Sequence, residues 1–103
     1  MRVEFVDAAL QEASDAATRY EAEVPGLGDE FLDELERCAL AVGEQPETWL
    51  TIGSVGLRPV RRFLLSRFPY GLVYVIKEDH VLVVAVAHGR RRPRYWTGRV
   101  PRT

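Results

Sequence analysis

The sequence YGLVYVIKEDHVLVVAVA, residues 70–87, contains two apolar runs separated by a short polar segment. The runs Tyr70–Lys77 and Val81–Ala87 are rich in valine, leucine and tyrosine, residue types that favour β-strands. Glu78, Asp79 and His80 between them predict a tight turn, so the two strands should pair as an antiparallel hairpin. Because both runs are apolar on both faces, we expect central strands that helices cover on at least one side.

Two amphipathic helices are predicted upstream of this hairpin. Apolar residues recur at three- and four-residue spacing over residues 8–23 and again over residues 29–42. Asp7 is the expected N-cap of the first helix, and residues 24–28, with one proline and two glycines, should end it. Two helices joined by so short a loop should lie antiparallel.

The remaining segments complete an α+β fold in one domain, residues 1–103. Residues 2–6 and residues 60–65 are further strand candidates, and residues 43–56 are expected to be an irregular connection. Cys38 lies beside the apolar stripe of the second helix and is interpreted as a small core residue. We therefore expect a short N-terminal strand and an antiparallel helical hairpin packed on an antiparallel sheet of three to four strands.

The charge is divided between the two halves of the chain. Residues 1–52 carry 13 acidic residues and 3 arginines, whereas residues 53–103 carry 11 basic residues, ten of them arginine, and 2 acidic residues. The formal net charge of −1 therefore conceals balances of −10 and +9. This asymmetry favours contact with a polyanion such as nucleic acid. The alternatives are a dimer and two halves of one fold that attract each other.

Several kinds of chemistry have no support in the sequence. The basic half offers only Glu78 and Asp79 to a hard metal ion, and Cys38, His80 and His88 lack the spacing of a zinc site. Gly26-Leu27-Gly28 is too short for a phosphate-binding loop, and no serine lies in a hydrolase motif. We expect neither a metal nor another cofactor.

The basic half carries groups suited to metal-free RNA cleavage. Arginine stabilises the negative charge that develops on a phosphate, and His88 or Tyr95 could transfer a proton. Arg61 and Arg62 should point to opposite faces of one strand, so at most one of them can join a given site. The residues predicted to bind nucleic acid are Arg58, Arg62, Arg90, Arg91, Arg92, Arg94 and Trp96.

Each of these residues also has a structural interpretation. His88 at a strand end could be a hydrogen-bonded structural residue. Tyr95 and Trp96 could cap the sheet with apolar surface instead of stacking on bases. The arginines of residues 90–94 could form a solvated tail, although the neighbouring aromatic residues favour a binding role.

Four stretches make the chain resemble the RelE/ParE superfamily, the toxins of bacterial type II toxin–antitoxin modules. They are Gly26-Leu27-Gly28 with residues 31–35, residues 46–49, Arg67-Phe68-Pro69-Tyr70 with Val73-Tyr74, and residues 85–93 with Tyr95-Trp96. They occur in family order over nearly the whole chain, and the last two are the most specific. The glycine corner of the hairpin is similar to ParE-type members that carry a plasmid-stabilisation label.

The resemblance implies a growth-inhibiting toxin with one of two mechanisms. RelE-like members cut mRNA in the ribosomal A site without a metal, and by position the catalytic residues here would be His88, Tyr95, Arg61 and Arg67. The sequence departs from the RelE pattern, because the sheet has no lysine pair and only Glu47 in the connecting loop could act as a general base.

ParE-like members instead poison DNA gyrase without a nuclease site. A third alternative is a non-toxic member that only binds nucleic acid or its partner. The basic half leans towards RNA, so we expect a ribosome-dependent endoribonuclease, with gyrase inhibition as the alternative.

Partners and location follow from the same comparison. The family implies a cognate antitoxin, which would fold on the acidic helices and the apolar groove beside the sheet. The targets implied are the ribosome with its mRNA, or DNA gyrase. The chain has no signal-peptide pattern and a single cysteine, so we expect a cytoplasmic protein without a membrane segment.

Overall fold

A computed structural model describes residues 1–102 as two helices packed on a five-stranded mixed sheet. The sheet order is β1-β5-β4-β3-β2, in which β1 is parallel to β5 and the other pairs are antiparallel. A 3₁₀ turn over Thr97–Arg99 follows the sheet. The elements are β1 Arg2–Phe5, α1 Asp7–Glu23, α2 Leu27–Glu44, β2 Leu50–Val55, β3 Arg58–Leu64, β4 Tyr70–Ile76 and β5 His80–His88.

The α+β prediction is confirmed, with differences at two strands and one cap. The segment 43–56 is not wholly irregular, because it contains β2, whose mixed polar and glycine composition hides its alternation. The sheet therefore has five strands, not three or four, and β1 makes it mixed. Asp7 is the first residue of α1 instead of its N-cap, a position held by Val6 without a side-chain cap bond.

The helical hairpin closes tightly at its glycine corner. Gly26 has a φ of 90°, a left-handed conformation that glycine adopts without strain. A Cβ on Gly28 would lie 2.6 Å from the Ala17 carbonyl oxygen, so only glycine permits this approach of α2 to α1. The Glu21 carboxylate accepts hydrogen bonds from the backbone N–H groups of Gly26 and Gly28, at 2.9 and 3.1 Å. These bonds occupy donors that the start of a helix otherwise leaves unpaired.

The helices and the sheet enclose the larger core, which contains an aromatic cluster. The Phe31 ring lies 5.2 Å from the rings of both Phe68 and Tyr70 and 5.4 Å from that of Tyr20. Cys38 lies in this core, and burial raises the pKa of its thiol, as expected for a structural cysteine. The helix-facing side of the sheet is thus the main hydrophobic core.

The opposite side of the sheet, which we call the outer face, carries a second core. Val60, Val73, Val75 and Val84 belong to it, and Trp96 and Val100 from the C-terminal segment cover it. The molecule therefore has three layers: the helical hairpin, the sheet, and a short C-terminal segment.

A bulge in β5 determines which face its last residues occupy. Val73 pairs with Ala85 and Tyr74 with Val83, which leaves Val84 as an extra residue. Val84 and Ala85 both join the outer core, whereas Val86 returns to the helix-facing core. Simple alternation from Val81 would have placed residue 88 on the outer face. Instead, His88 lies on the same side as Tyr70, its partner in β4.

Candidate functional site

The groups predicted to cleave RNA are held in separate contacts. Arg61 Nη1 donates to the carbonyl oxygens of Glu47 and Trp49, at 3.0 and 2.8 Å, and so fixes the segment before β2. Arg67 Nη2 lies 2.8 Å from Glu30 Oε1 on α2, and both side chains are half exposed. These two arginines serve different contacts, so they do not form a pair facing one phosphate.

Tyr95 is bound to a buried carboxylate on α1. Its hydroxyl donates to Glu12 Oε2 at 2.8 Å, and the guanidinium groups of Arg91 and Arg99 lie 3.9 and 5.2 Å from the centre of its ring. Burial raises the pKa of Tyr95 to about 12, and the hydrogen bond and charge of Glu12 add to the effect. A phenol with so high a pKa is a poor proton acceptor at neutral pH.

Glu12 is the centre of this network, and sequence analysis gave it no role. Its Oε1 accepts from the backbone N–H of Val86 at 3.0 Å and from Arg99 Nη1 at 2.9 Å. The side chain is only 15% exposed. Glu12 therefore ties α1 to β5 and to the C-terminal segment; in the sequence it is one acidic residue among thirteen in its half.

His88 lies at the edge of a polar cleft on the helix-facing side. The cleft has a volume of about 360 Å³ and is also lined by Asp15, Arg19 and Tyr70. Arg19 donates a hydrogen bond to the Tyr70 hydroxyl, and the His88 ring lies edge-on to Tyr70 at 5.1 Å. His88 Nδ1 accepts from the backbone N–H of Arg90 at 3.0 Å, which leaves Nε2 to carry the proton of the neutral ring.

The predicted nucleic-acid-binding arginines are divided between a structural group and a cleft. Arg58 donates to the Ile76 carbonyl oxygen at 2.9 Å and is half-buried, so it supports the β3–β4 region. Arg62, Arg91, Arg92 and Arg94 border a second cleft, of about 260 Å³, between β3 and residues 89–96. We call this the outer cleft. His88, Gly89 and Tyr95 also border it, and Arg90 is an exposed neighbour in the same loop.

Trp96 is part of the outer core. It is only 4% exposed, and it packs with the valines of β3, β4 and β5. Its ring therefore has no open face on which a base could stack, and the structure supports the alternative of a cap on the sheet. As expected, Arg61 and Arg62 lie on opposite faces: Arg61 reaches the segment before β2, and Arg62 borders the outer cleft.

Only some of the arginines in the basic half of the chain pair with carboxylates of the acidic half. Arg67, Arg91 and Arg99 lie within 4 Å of carboxylates on the helices, with distances of 2.8, 3.9 and 2.9 Å. The side chains of Arg62 and Arg92 have no hydrogen bond or ion pair with any other residue of the range 1–102. The outer cleft is therefore a basic surface in which Glu12 on α1 pairs with Arg91, while Arg62 and Arg92 stay without a carboxylate partner within residues 1–102.

The helices carry an apolar groove of their own. It has a volume of about 830 Å³ and is lined by residues of both helices, including Leu10, Leu32 and Ala39. Leu10 and Leu32 are 52% and 41% exposed, and Glu21 and Glu36 also border the groove. An apolar groove with acidic residues at its edge suits a partner with apolar and basic side chains. Neither helix within residues 1–102 is both long and apolar enough to cross a bilayer.

Comparisons with known proteins agree with this architecture. The chain is similar in fold to a solved structure described as the chromosomal ParDE TA system from P. aeruginosa, with a TM-score of 0.72 and 14% sequence identity. That match covers 85% of this chain and 95% of the other. No curated protein matches the sequence. The family model for the ParE toxin of type II toxin–antitoxin systems, parDE, matches residues 3–93, so this chain belongs to the ParE toxin family within the RelE/ParE superfamily.

Proposed function

We propose that this protein inhibits growth by binding DNA gyrase and not by cutting mRNA. One observation carries the proposal: three of the four groups predicted to cleave RNA are held in separate contacts with other residues of the chain. Tyr95 binds Glu12, Arg61 binds two backbone carbonyls, and Arg67 pairs with Glu30. RNA cleavage without a metal needs proton-transfer groups and phosphate ligands around one reacting atom. Inhibition by binding needs only a complementary surface, and ParE-like members of the superfamily poison gyrase.

Ribosome-dependent mRNA cleavage is the second candidate, because a specific observation favours it. The outer cleft contains four arginines and is bordered by His88, so one titratable group lies beside a cluster of phosphate-binding side chains. This arrangement could act on RNA if His88 turned away from Tyr70 towards the cleft.

The test uses the purified protein in two assays, DNA supercoiling by gyrase and mRNA cleavage on translating ribosomes, each with His88→Ala and Tyr95→Phe alongside. We expect the unaltered protein and His88→Ala to inhibit supercoiling equally and to leave the mRNA intact. Cuts that require ribosomes and disappear with His88→Ala would overturn the proposal in favour of RNA cleavage. Tyr95→Phe removes the hydroxyl and keeps the ring, which contacts the guanidinium groups of Arg91 and Arg99.

We also propose that the apolar groove between the helices receives the antitoxin, through a segment whose apolar side chains cover Leu10 and Leu32. Basic residues beside them would pair with Glu21 and Glu36. A partner that binds only the folded toxin raises its melting temperature by mass action. Leu10→Asp should abolish that increase. An increase of the same size in Leu10→Asp would place the antitoxin elsewhere.

A further inference from the structure

We propose that the outer cleft binds the sugar–phosphate backbone of duplex DNA and thereby helps to hold the toxin on DNA that gyrase has bound. The gyrase context rests on the proposed function, whereas the contact with DNA rests on the cleft itself. The inference begins with charge. The charged side chains that line the cleft within residues 1–102 are Arg62, Arg91, Arg92 and Arg94, without a carboxylate among them.

Two of these arginines are free to bind a ligand. Arg62 and Arg92 are exposed, and neither side chain has a hydrogen bond or ion pair with another residue between 1 and 102. Arg62 belongs to β3, and Arg92 belongs to the loop after β5, so two separate elements contribute them to the cleft. A guanidinium binds a phosphate through two parallel hydrogen bonds, so these two side chains can bind phosphates of one backbone strand.

Arg94 is held in place by its backbone and by β2. Its φ is 62°, the left-handed region that an arginine adopts only when its surroundings require it. Arg94 Nη2 donates to the Ser54 carbonyl oxygen at 3.1 Å, and Nη1 lies 2.7 Å from where a Cβ on Gly53 would be. Gly53 thus gives the guanidinium room against β2. The third arginine is therefore positioned before any ligand binds.

The cleft is suited to a duplex more than to a single strand. Proteins that bind single-stranded RNA or DNA stack the bases on exposed aromatic rings. Here Trp96 is 4% exposed, and the Tyr95 ring lies against Arg91 and Arg99. A volume of about 260 Å³ is small for a ligand site and suits backbone more than a stacked base pair. Phosphate contacts without base contacts predict binding that depends on salt and not on sequence.

The test measures binding of a fluorescent DNA duplex and of a single-stranded RNA of equal length over a series of salt concentrations. The altered protein is Arg62→Ala/Arg92→Ala. The matched control is Arg2→Ala/Arg37→Ala, which removes the same charge from exposed positions outside the cleft. We expect the cleft variant to lose about tenfold or more in duplex affinity. The slope of log affinity against log salt should fall by about two. The control should change much less, and circular dichroism should show both variants folded.

Three results would overturn the inference. The first is that the unaltered protein does not bind the duplex, and the second is that the cleft variant binds the duplex as tightly as the control variant does. The third is that the unaltered protein binds RNA more tightly than duplex, and that the cleft variant loses affinity for RNA but not for duplex. A supercoiling assay on the same proteins separates the two proposals. Duplex binding without inhibition of gyrase would overturn the proposed function and support the DNA contact. If both variants inhibit gyrase equally and the protein does not bind duplex DNA, the DNA contact would be overturned and the proposed function supported.

Discussion

The two faces of the sheet differ in their side chains and in the elements that cover them. The helix-facing side is covered by α1 and α2 and contains the aromatic cluster around Phe31. The outer face is lined by valines and covered by a short C-terminal segment that also carries the arginines of the outer cleft. Because buried aromatic area contributes most to stability, the helix-facing core should hold the fold together. The thinner outer layer leaves charged side chains free to bind.

The largest effect is expected when the Phe31 ring, a member of the aromatic cluster, is removed from the helix-facing core. Phe31 is fully buried, so Phe31→Ala should lower the free energy of unfolding by about 3–5 kcal/mol. Val100→Ala on the outer face removes two methyl groups and should cost about 2 kcal/mol or less. Urea denaturation of both variants measures the difference. Equal losses would show that the outer core supports the fold as strongly as the helix-facing one.

A smaller effect is expected at Glu12, which joins the two layers. Glu12→Ala leaves the Val86 N–H and the Tyr95 hydroxyl without their partner and leaves Arg99 only the Val84 carbonyl oxygen, which should cost about 1–3 kcal/mol. The C-terminal segment should become the first site of proteolysis, because α1 no longer holds it. Glu23→Ala, an exposed carboxylate on the same helix, is the control and should change stability by about 0.5 kcal/mol or less. If the two variants are equally stable, Glu12 does not hold the segment.

The smallest expected effect is on the pKa values of two tyrosines, Tyr74 on the helix-facing side and Tyr95 on the outer face. Burial raises the pKa of Tyr74 to about 12, and burial together with Glu12 raises that of Tyr95 to about 12. An unfolded tyrosine has a pKa near 10, so the folded state retains these protons longer. The stabilisation is therefore complete below about pH 10 and is lost as the pH rises towards 12.

Glu12→Gln distinguishes the two tyrosines in an absorbance titration of tyrosinate. The substitution removes the carboxylate charge beside Tyr95, so the pKa of Tyr95 should fall. That of Tyr74 should not change, because its hydroxyl donates to the Pro46 carbonyl oxygen. Tyr95→Phe identifies which transition belongs to Tyr95. A fall in the pKa of Tyr74, or no change at Tyr95, would contradict the assignment.

Glu34 illustrates what sequence reasoning could not identify. It is 4% exposed, and its carboxylate accepts from the backbone N–H groups of Ser66 and Arg67, at 2.7 and 3.1 Å. In the sequence, Glu34 is one of several acidic residues on a helix. Its partners lie more than thirty positions away, and only the packing of α2 beside the end of β3 brings them together.

The sequence by itself determined the helical hairpin, the three antiparallel strands β3–β5, the basic second half and the resemblance to the toxin superfamily. These depend on local periodicity, on glycine and proline at the corner, and on composition, which act over short stretches of chain. Only the tertiary structure decided which predicted site residues meet. The extra residue at Val84 reverses the alternation of β5, so the His88 ring packs against Tyr70 on the helix-facing side of the sheet. Glu12 likewise binds Tyr95 from a distant helix. A shift of one residue in strand register moves each following side chain to the opposite face, and no local pattern in residues 81–88 reveals it.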